Sequence, residues 1–176
     1  VAKDKSFKEY AASVAECLLV GDQSTMEELE KSELSPDISV NQARQELIAK
    51  IGENISVRRF DRLSSPDGLV AGYLHGGRIG VLVSMNLCGE ELGKDIAMHI
   101  AASRPICVTE DDIPEEVLEV ERSIFVAQAK ESGKSNDIVK RMVDGKLNKF
   151  RKENALLGQA YVKNPDLSVG DLIAEV

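Results

Sequence analysis

A chain of 176 residues, 43% hydrophobic and carrying 22 basic against 30 acidic side chains, holds enough apolar material to bury a sizeable core in one domain or two small subdomains. Its net charge of −8 repels phosphate backbones and anionic lipid, which argues against nucleic acid or a membrane surface as a direct ligand. No apolar run approaches the ~18 residues of a membrane-spanning helix and the N-terminal residues carry no signal-peptide pattern, so a soluble protein is expected.

In chain order, Val1 opens the sequence without a Met and directly on a helix-like segment, which points to a piece of something longer. Phe7, Tyr10, Val14 and Leu18 recur at three- and four-residue steps, predicting an amphipathic helix from Ser6 to Val20 that ends at Gly21. The acidic stretch to Val40, broken by Pro36, predicts a short helix over Thr25 to Lys31 and then loop. Ala43, Leu47, Ile48 and Ile51 mark another helix, stopped by Gly52. Asn54 to Phe60 alternates, with Ile55 and Val57 on one side and Ser56 and Arg58 on the other, and reads as a strand before the turn residues Ser64 to Gly68.

The stretch from Gly68 to Pro105 predicts two strands and a helix. Gly76-Gly77 supplies the positive φ angles of a tight hairpin turn. A two-residue turn sets His75 against Arg78, Leu74 against Ile79, Tyr73 against Gly80 and Gly72 against Val81. Val70, Gly72, Leu74, Ile79, Val81 and Val83 then form an apolar core face. The opposite face, with Ala71, Tyr73, His75, Arg78, Gly80 and Leu82, is a candidate contact surface. With Asn54 to Phe60 added, the hairpin makes a three-stranded meander covered by helices.

Glu90 to Ser103 predicts a helix with acids at its start and Pro105 beyond its end. Ile106 to Thr109 is short and β-prone. Val117, Val120, Ile124 and Ala127 step by three and four, as do Val139, Val143, Leu147 and Phe150. Glu131 to Asn136 is a polar connection of a length suited to antiparallel helices, so residues 114–152 read as a helical hairpin projecting from the body. Leu157 to Val162 reads as a strand, and Ser168 as the cap of a last helix over Val169 to Glu175.

Little here points to bond chemistry. Cys17, Cys88 and Cys107 are far apart and have no metal-site spacing, which suits a reducing compartment. Two histidines, His75 and His99, make an imidazole metal site improbable. No phosphate-cradling glycine loop and no nucleophile, base and acid set stands out. His99 shares a helix with Ile96 and Ile100, where a histidine at the core boundary is ordinarily structural.

ARQELIAKIGENISVRRF (Ala43 to Phe60), HGGRIGVLV (His75 to Val83), KDIAMHIAASRP (Lys94 to Pro105) and SGKSNDIVKRMVDGKLNKF (Ser132 to Phe150) closely resemble, in colinear order, segments of the bacterial elongation factor Ts family. The resemblance covers essentially the whole chain. It implies an α+β core of two related subdomains, here 1–88 and 89–176, each a three-stranded antiparallel sheet with covering helices. The second sheet is incomplete in this chain, and the helical hairpin 114–152 is inserted in that subdomain. It also implies a non-enzymatic guanine-nucleotide exchange factor without cofactor or metal, which releases GDP from the translation GTPase elongation factor Tu by displacing elements around its magnesium and phosphate sites.

The family's T-D-F-V-A-K-D motif is matched from Val1 and Ala2 onward, which points to a core fragment without the N-terminal helical domain or the C-terminal end and with weakened exchange. The matching contact positions are Val1, Ala2, Arg78, Ile79, Gly80, Met98 and His99. Gly80 and His99 are expected side by side on one platform, with His99 offering the partner a hydrogen bond or packing contact and Ile79 contacting through its backbone. The hairpin resembles the segment that reaches the GTPase's far domain or pairs two copies. The bacterial cytoplasm is the expected location, or an organelle. The alternative reading is a pure interaction or dimerisation module with no exchange activity.

Overall fold

The first helix, α1 (Lys5–Val20), starts where Asp4 accepts a hydrogen bond from the Phe7 N–H at 3.1 Å, and it turns Tyr10 and Val14 inward. The computed structural model to which it belongs describes residues 1–86, 89–131 and 135–175. Two compact units emerge, Val1–Ser64 and Ser65–Val176.

In the first unit, α1 is followed by α2 (Met26–Lys31), which Thr25 and Glu28 cap reciprocally, and by a small antiparallel pair, β1 (Glu33–Ser35) and β2 (Ile38–Ser39). A second reciprocal cap, Ser39 with Gln42, starts α3 (Val40–Ile51), and Gly52 at φ 77 ends it in the left-handed region that glycine adopts without cost. Tyr10, Val14, Leu29, Val40, Leu47 and Ile55 form the core. The segment expected as a strand, Asn54 to Phe60, takes no regular secondary structure and joins no sheet. Ile55 is drawn into this core instead, and its carbonyl is taken by the Arg44 Nη1 at 3.2 Å.

The second unit begins with β3 (Leu69–His75) and β4 (Ile79–Met85), an antiparallel hairpin. Gly76 and Gly77 do take positive φ, 57° and 70°, but Arg78 joins them in the loop, so His75 faces Ile79, Leu74 faces Gly80 and Tyr73 faces Val81. This one-residue slip from the expected register exchanges the faces of β3. Leu69, Ala71, Tyr73, Ile79, Val81, Val83 and Met85 share the inner face, while Gly72, Leu74, Gly80 and Leu82 share the outer one.

Helix α4 (Glu90–Ser103) lies against that inner face, and a Cβ placed on Gly93 would stand only 2.6 Å from the Cβ of Ala71. On its other flank α4 meets a 3₁₀ turn (Leu156–Gly158), the antiparallel pair β5 (Ala160–Tyr161) and β6 (Asn164–Ser168), and α7 (Val169–Ala174), which Ser168 and Asp171 cap as the sequence anticipates. Ile96, Leu156, Tyr161 and Val169 are the buried centre of this packing. The expected strand Ile106 to Thr109 is reduced to one parallel bridge, Cys107 to Ala155. It is flanked by backbone bonds from Ile106 N–H to Asn154 O, Leu156 N–H to Cys107 O and Leu157 N–H to Val108 O.

Between those two segments runs the helical hairpin, α5 (Glu115–Lys130) and α6 (Asn136–Asn154). Val139, Val143 and Leu147 of α6 form the seam as expected, packed on Phe125, Val126 and Ala129 of α5. The expected α5 stripe does not form that seam: Val120 is 60% and Ile124 43% exposed. The helix carries two apolar faces, and only one is used between the pair. Cys88, Val176 and the connection residues Ser132, Gly133 and Lys134 lie outside the described residues. Helices and small antiparallel sheets make the fold α+β, although among the described residues each sheet has two strands.

Candidate functional site

The outer face of β3–β4 is open. Leu74 is 68% and Leu82 57% exposed, and between them Gly72 and Gly80 leave a shallow depression in the sheet. Gly80 needs its missing side chain neither for a positive φ nor for internal packing, since an added Cβ would meet only the Leu74 Cδ1, at 3.9 Å. A glycine at such a position leaves the strand backbone open to close approach. On the other face, at the turn end of the hairpin, the Tyr73 hydroxyl lies 3.0 Å from His75 Nδ1, and Arg78 is exposed in the turn.

The second polar feature lies on the flank of α4 that faces β5. Asp95 and His99 are one turn apart. Asp95 accepts from the Tyr161 hydroxyl at 2.9 Å and from the Lys163 ammonium at 2.5 Å. The Lys163 hydrogen bond first, with that from Tyr161, holds the Asp95 carboxyl below its usual range, while partial burial works against them. Burial first, then the bond to Asp95, pushes the Tyr161 phenol up to about 12. His99 is fully buried, its ring 6.0 Å from that of Tyr161, with Gln159 Oε1 3.0 Å from Nε2 and the Val162 N–H directed at Nδ1 over 3.3 Å.

These placements correct the expected platform. Gly80 lies on the sheet face turned away from α4, and His99 points from α4 toward β5, so the two are not side by side on one surface. His99 has no exposed surface and no free nitrogen to offer a partner. Ile79 is half-buried with its side chain on the inner face, Gly80 and Arg78 are exposed, and Met98 is half-buried on α4. Val1 and Ala2 are exposed at the start of the other unit. Asp95, Gln159, Tyr161 and Lys163 were not anticipated. The Asp95–His99 spacing of four was a readable sign of a shared helix face, but nothing in the sequence marked the segment it would grip. Among the described residues, no three His, Cys, Asp or Glu side chains gather as a metal set.

The second unit thus combines an open, glycine-lined sheet face with a helix, α4, that packs on the opposite face and is hydrogen-bonded to the segment around β5. The sequence matches the family described as Elongation factor TS over residues 1–176. It is 51% identical over 175 residues to elongation factor Ts of Legionella pneumophila (strain Paris), covering 99% of this chain and 60% of that protein. It is 53% identical over 173 residues to elongation factor Ts of Methylococcus capsulatus, covering 98% of this chain and 59% of that one. The chain belongs to the elongation factor Ts family, and it spans about 60% of the length of these curated relatives.

Proposed function

We propose that this chain is the docking core of a guanine-nucleotide exchange factor that binds the translation GTPase elongation factor Tu and promotes GDP release. Exchange of this kind needs no bond chemistry. A partner that prefers the nucleotide-free state must weaken nucleotide binding by the same factor with which nucleotide weakens the partner. Within the family assignment, the observation that carries the reading is Gly80: a glycine in an exposed strand with no conformational or packing need for being one. Arg78, Gly80 and the backbone of Ile79 are the contacts assigned to the open face, with Met98 on α4 and Val1 and Ala2 at the N-terminus as further contacts. The division into related subdomains 1–88 and 89–176, the second carrying the hairpin 114–152, belongs to the same reading. So do the bacterial cytoplasm as location, which the bacterial relatives support, and a non-enzymatic role.

The test is release of labelled GDP from elongation factor Tu with this chain in excess. The wild-type chain accelerates release, and Gly80→Val, which fills the depression, weakens complex formation about tenfold or more while leaving the melting temperature within a few degrees. Unchanged binding by the Val variant removes the open face from the interface.

A second reading, assembly through the hairpin, is favoured by one observation: Val120 and Ile124 form an exposed apolar stripe along α5 with half-buried Val117. Laid antiparallel on a second copy, Val117 meets Ala127 and Val120 meets Ile124, and Glu116 comes near Lys130 of the other copy. Light scattering of the chain alone checks for that dimer.

A further inference from the structure

A buried imidazole is costly unless both of its nitrogens find partners. In His99 both do, and the partners fix the proton. The Val162 N–H can only donate, so Nδ1 is the acceptor. Gln159 is oriented from its far end, where its Nε2 donates to the Glu153 carbonyl at 2.9 Å, which leaves its Oε1 to accept from His99 Nε2. One state satisfies both contacts: the neutral ring protonated at Nε2. One turn earlier, Asp95 takes the Tyr161 hydroxyl and the Lys163 ammonium. Two successive turns of α4 therefore place four hydrogen bonds on the five residues from Gln159 to Lys163. Val162, whose N–H is gripped, is itself 41% exposed, and Met98 lies on the same flank of α4 as Asp95, three residues on.

We propose that His99 and Asp95 are positioning residues: they lock the turn between β5 and β6 onto α4, so that Met98 and the exposed Val162–Lys163 turn meet the partner GTPase as one fixed surface. His99 acts through that turn and does not touch the partner. The locked turn stands on the geometry alone; the partner half rests on the exchange-factor reading.

The experiment separates the two halves by measuring both on the 176-residue chain. Nitrogen-15 NMR of the His99 ring and hydrogen exchange of the Val162 amide read the lock, and calorimetric affinity for nucleotide-free elongation factor Tu reads the surface. An Asn side chain places its amide oxygen near the position of Nδ1 and keeps the acceptor for Val162, whereas Gln reaches only the position of Nε2. In H99Q the Val162 amide exchanges about tenfold faster and affinity falls about tenfold, while H99N stays within about threefold of wild type in both. D95N, changed at a partly exposed position, loosens the Lys163 end of the same turn and weakens binding in the same direction. A ring protonated at Nδ1, or a Val162 amide equally protected in H99Q, overturns the lock. Equal affinities of H99Q, H99N and a wild-type chain that binds overturn the positioning role. A wild-type chain that fails to bind while the Val162 pattern holds overturns the exchange-factor reading and the partner half with it, and leaves the lock intact.

Discussion

Gly93 and Gly145 have opposite reasons for their identity. A Cβ at Gly93 would press on Ala71 from within the α4–β3 packing, whereas one at Gly145, in the middle of α6, would meet nothing within 4 Å. Gly93→Ala therefore destabilises by about 1–3 kcal/mol through overpacking. Gly145→Ala stabilises by about 0.5–1 kcal/mol by removing backbone freedom from the unfolded chain and restoring helix propensity. Denaturant unfolding of the two variants checks both signs. Asp95 gives stability a pH dependence. Because its folded carboxyl titrates below the unfolded one, its contribution is complete above the ordinary carboxylate range and is lost as pH falls from about 4 through the lower folded value. Asp95→Asn flattens that part of the acid limb, which unfolding midpoints between pH 5 and 2 measure. At this scale the sequence was readable in part. The position of His99 between Ile96 and Ile100 identified a core-boundary histidine, and the structure agrees. Its expected contact with a partner came from the resemblance, which carries no information about burial.

Elements were most legible where local chemistry decides them. Ser168 caps α7 through a reciprocal bond with Asp171, as Thr25 and Ser39 do for α2 and α3. Ser168→Ala should cost about 1 kcal/mol, read as a shift in the denaturation midpoint. The β3–β4 register was not legible, because Gly-Gly fits a two-residue and a three-residue loop equally and only the placement of Arg78 distinguishes them. The strand expected at Asn54 to Phe60 failed for another reason: alternation records which side chains are buried, not what the backbone pairs with, and Arg44 claims the Ile55 carbonyl. Helix α5 misled through having two apolar stripes, of which Phe125 and Ala129 make the seam and Val120 and Ile124 are left outside. Replacing Val120 and Ile124 together by Glu should dissolve any dimer seen by light scattering without lowering the melting temperature, since neither side chain is part of the seam.

For the whole molecule, the α+β class followed from alternating helix-like and strand-like stretches, while the partition at Ser64–Ser65 did not, because compactness depends on contacts between segments distant in sequence. Under the exchange-factor reading, these 176 residues should release GDP from elongation factor Tu more slowly than a complete member of the family, since they span about 60% of such a chain. Stopped-flow release with both proteins under one condition makes the comparison, and equal rates would show that the remaining 40% is dispensable for exchange. Backbone bonds join residues 106–108 to 154–157. They tie the segments entering and leaving the helical hairpin at its root, so the loop is closed where α6 ends and before α5 begins. A root sealed in this way turns the pair of helices into a strut of adjustable length: whole turns can be added or removed at its tip, changing how far it reaches while the body that carries it keeps its shape.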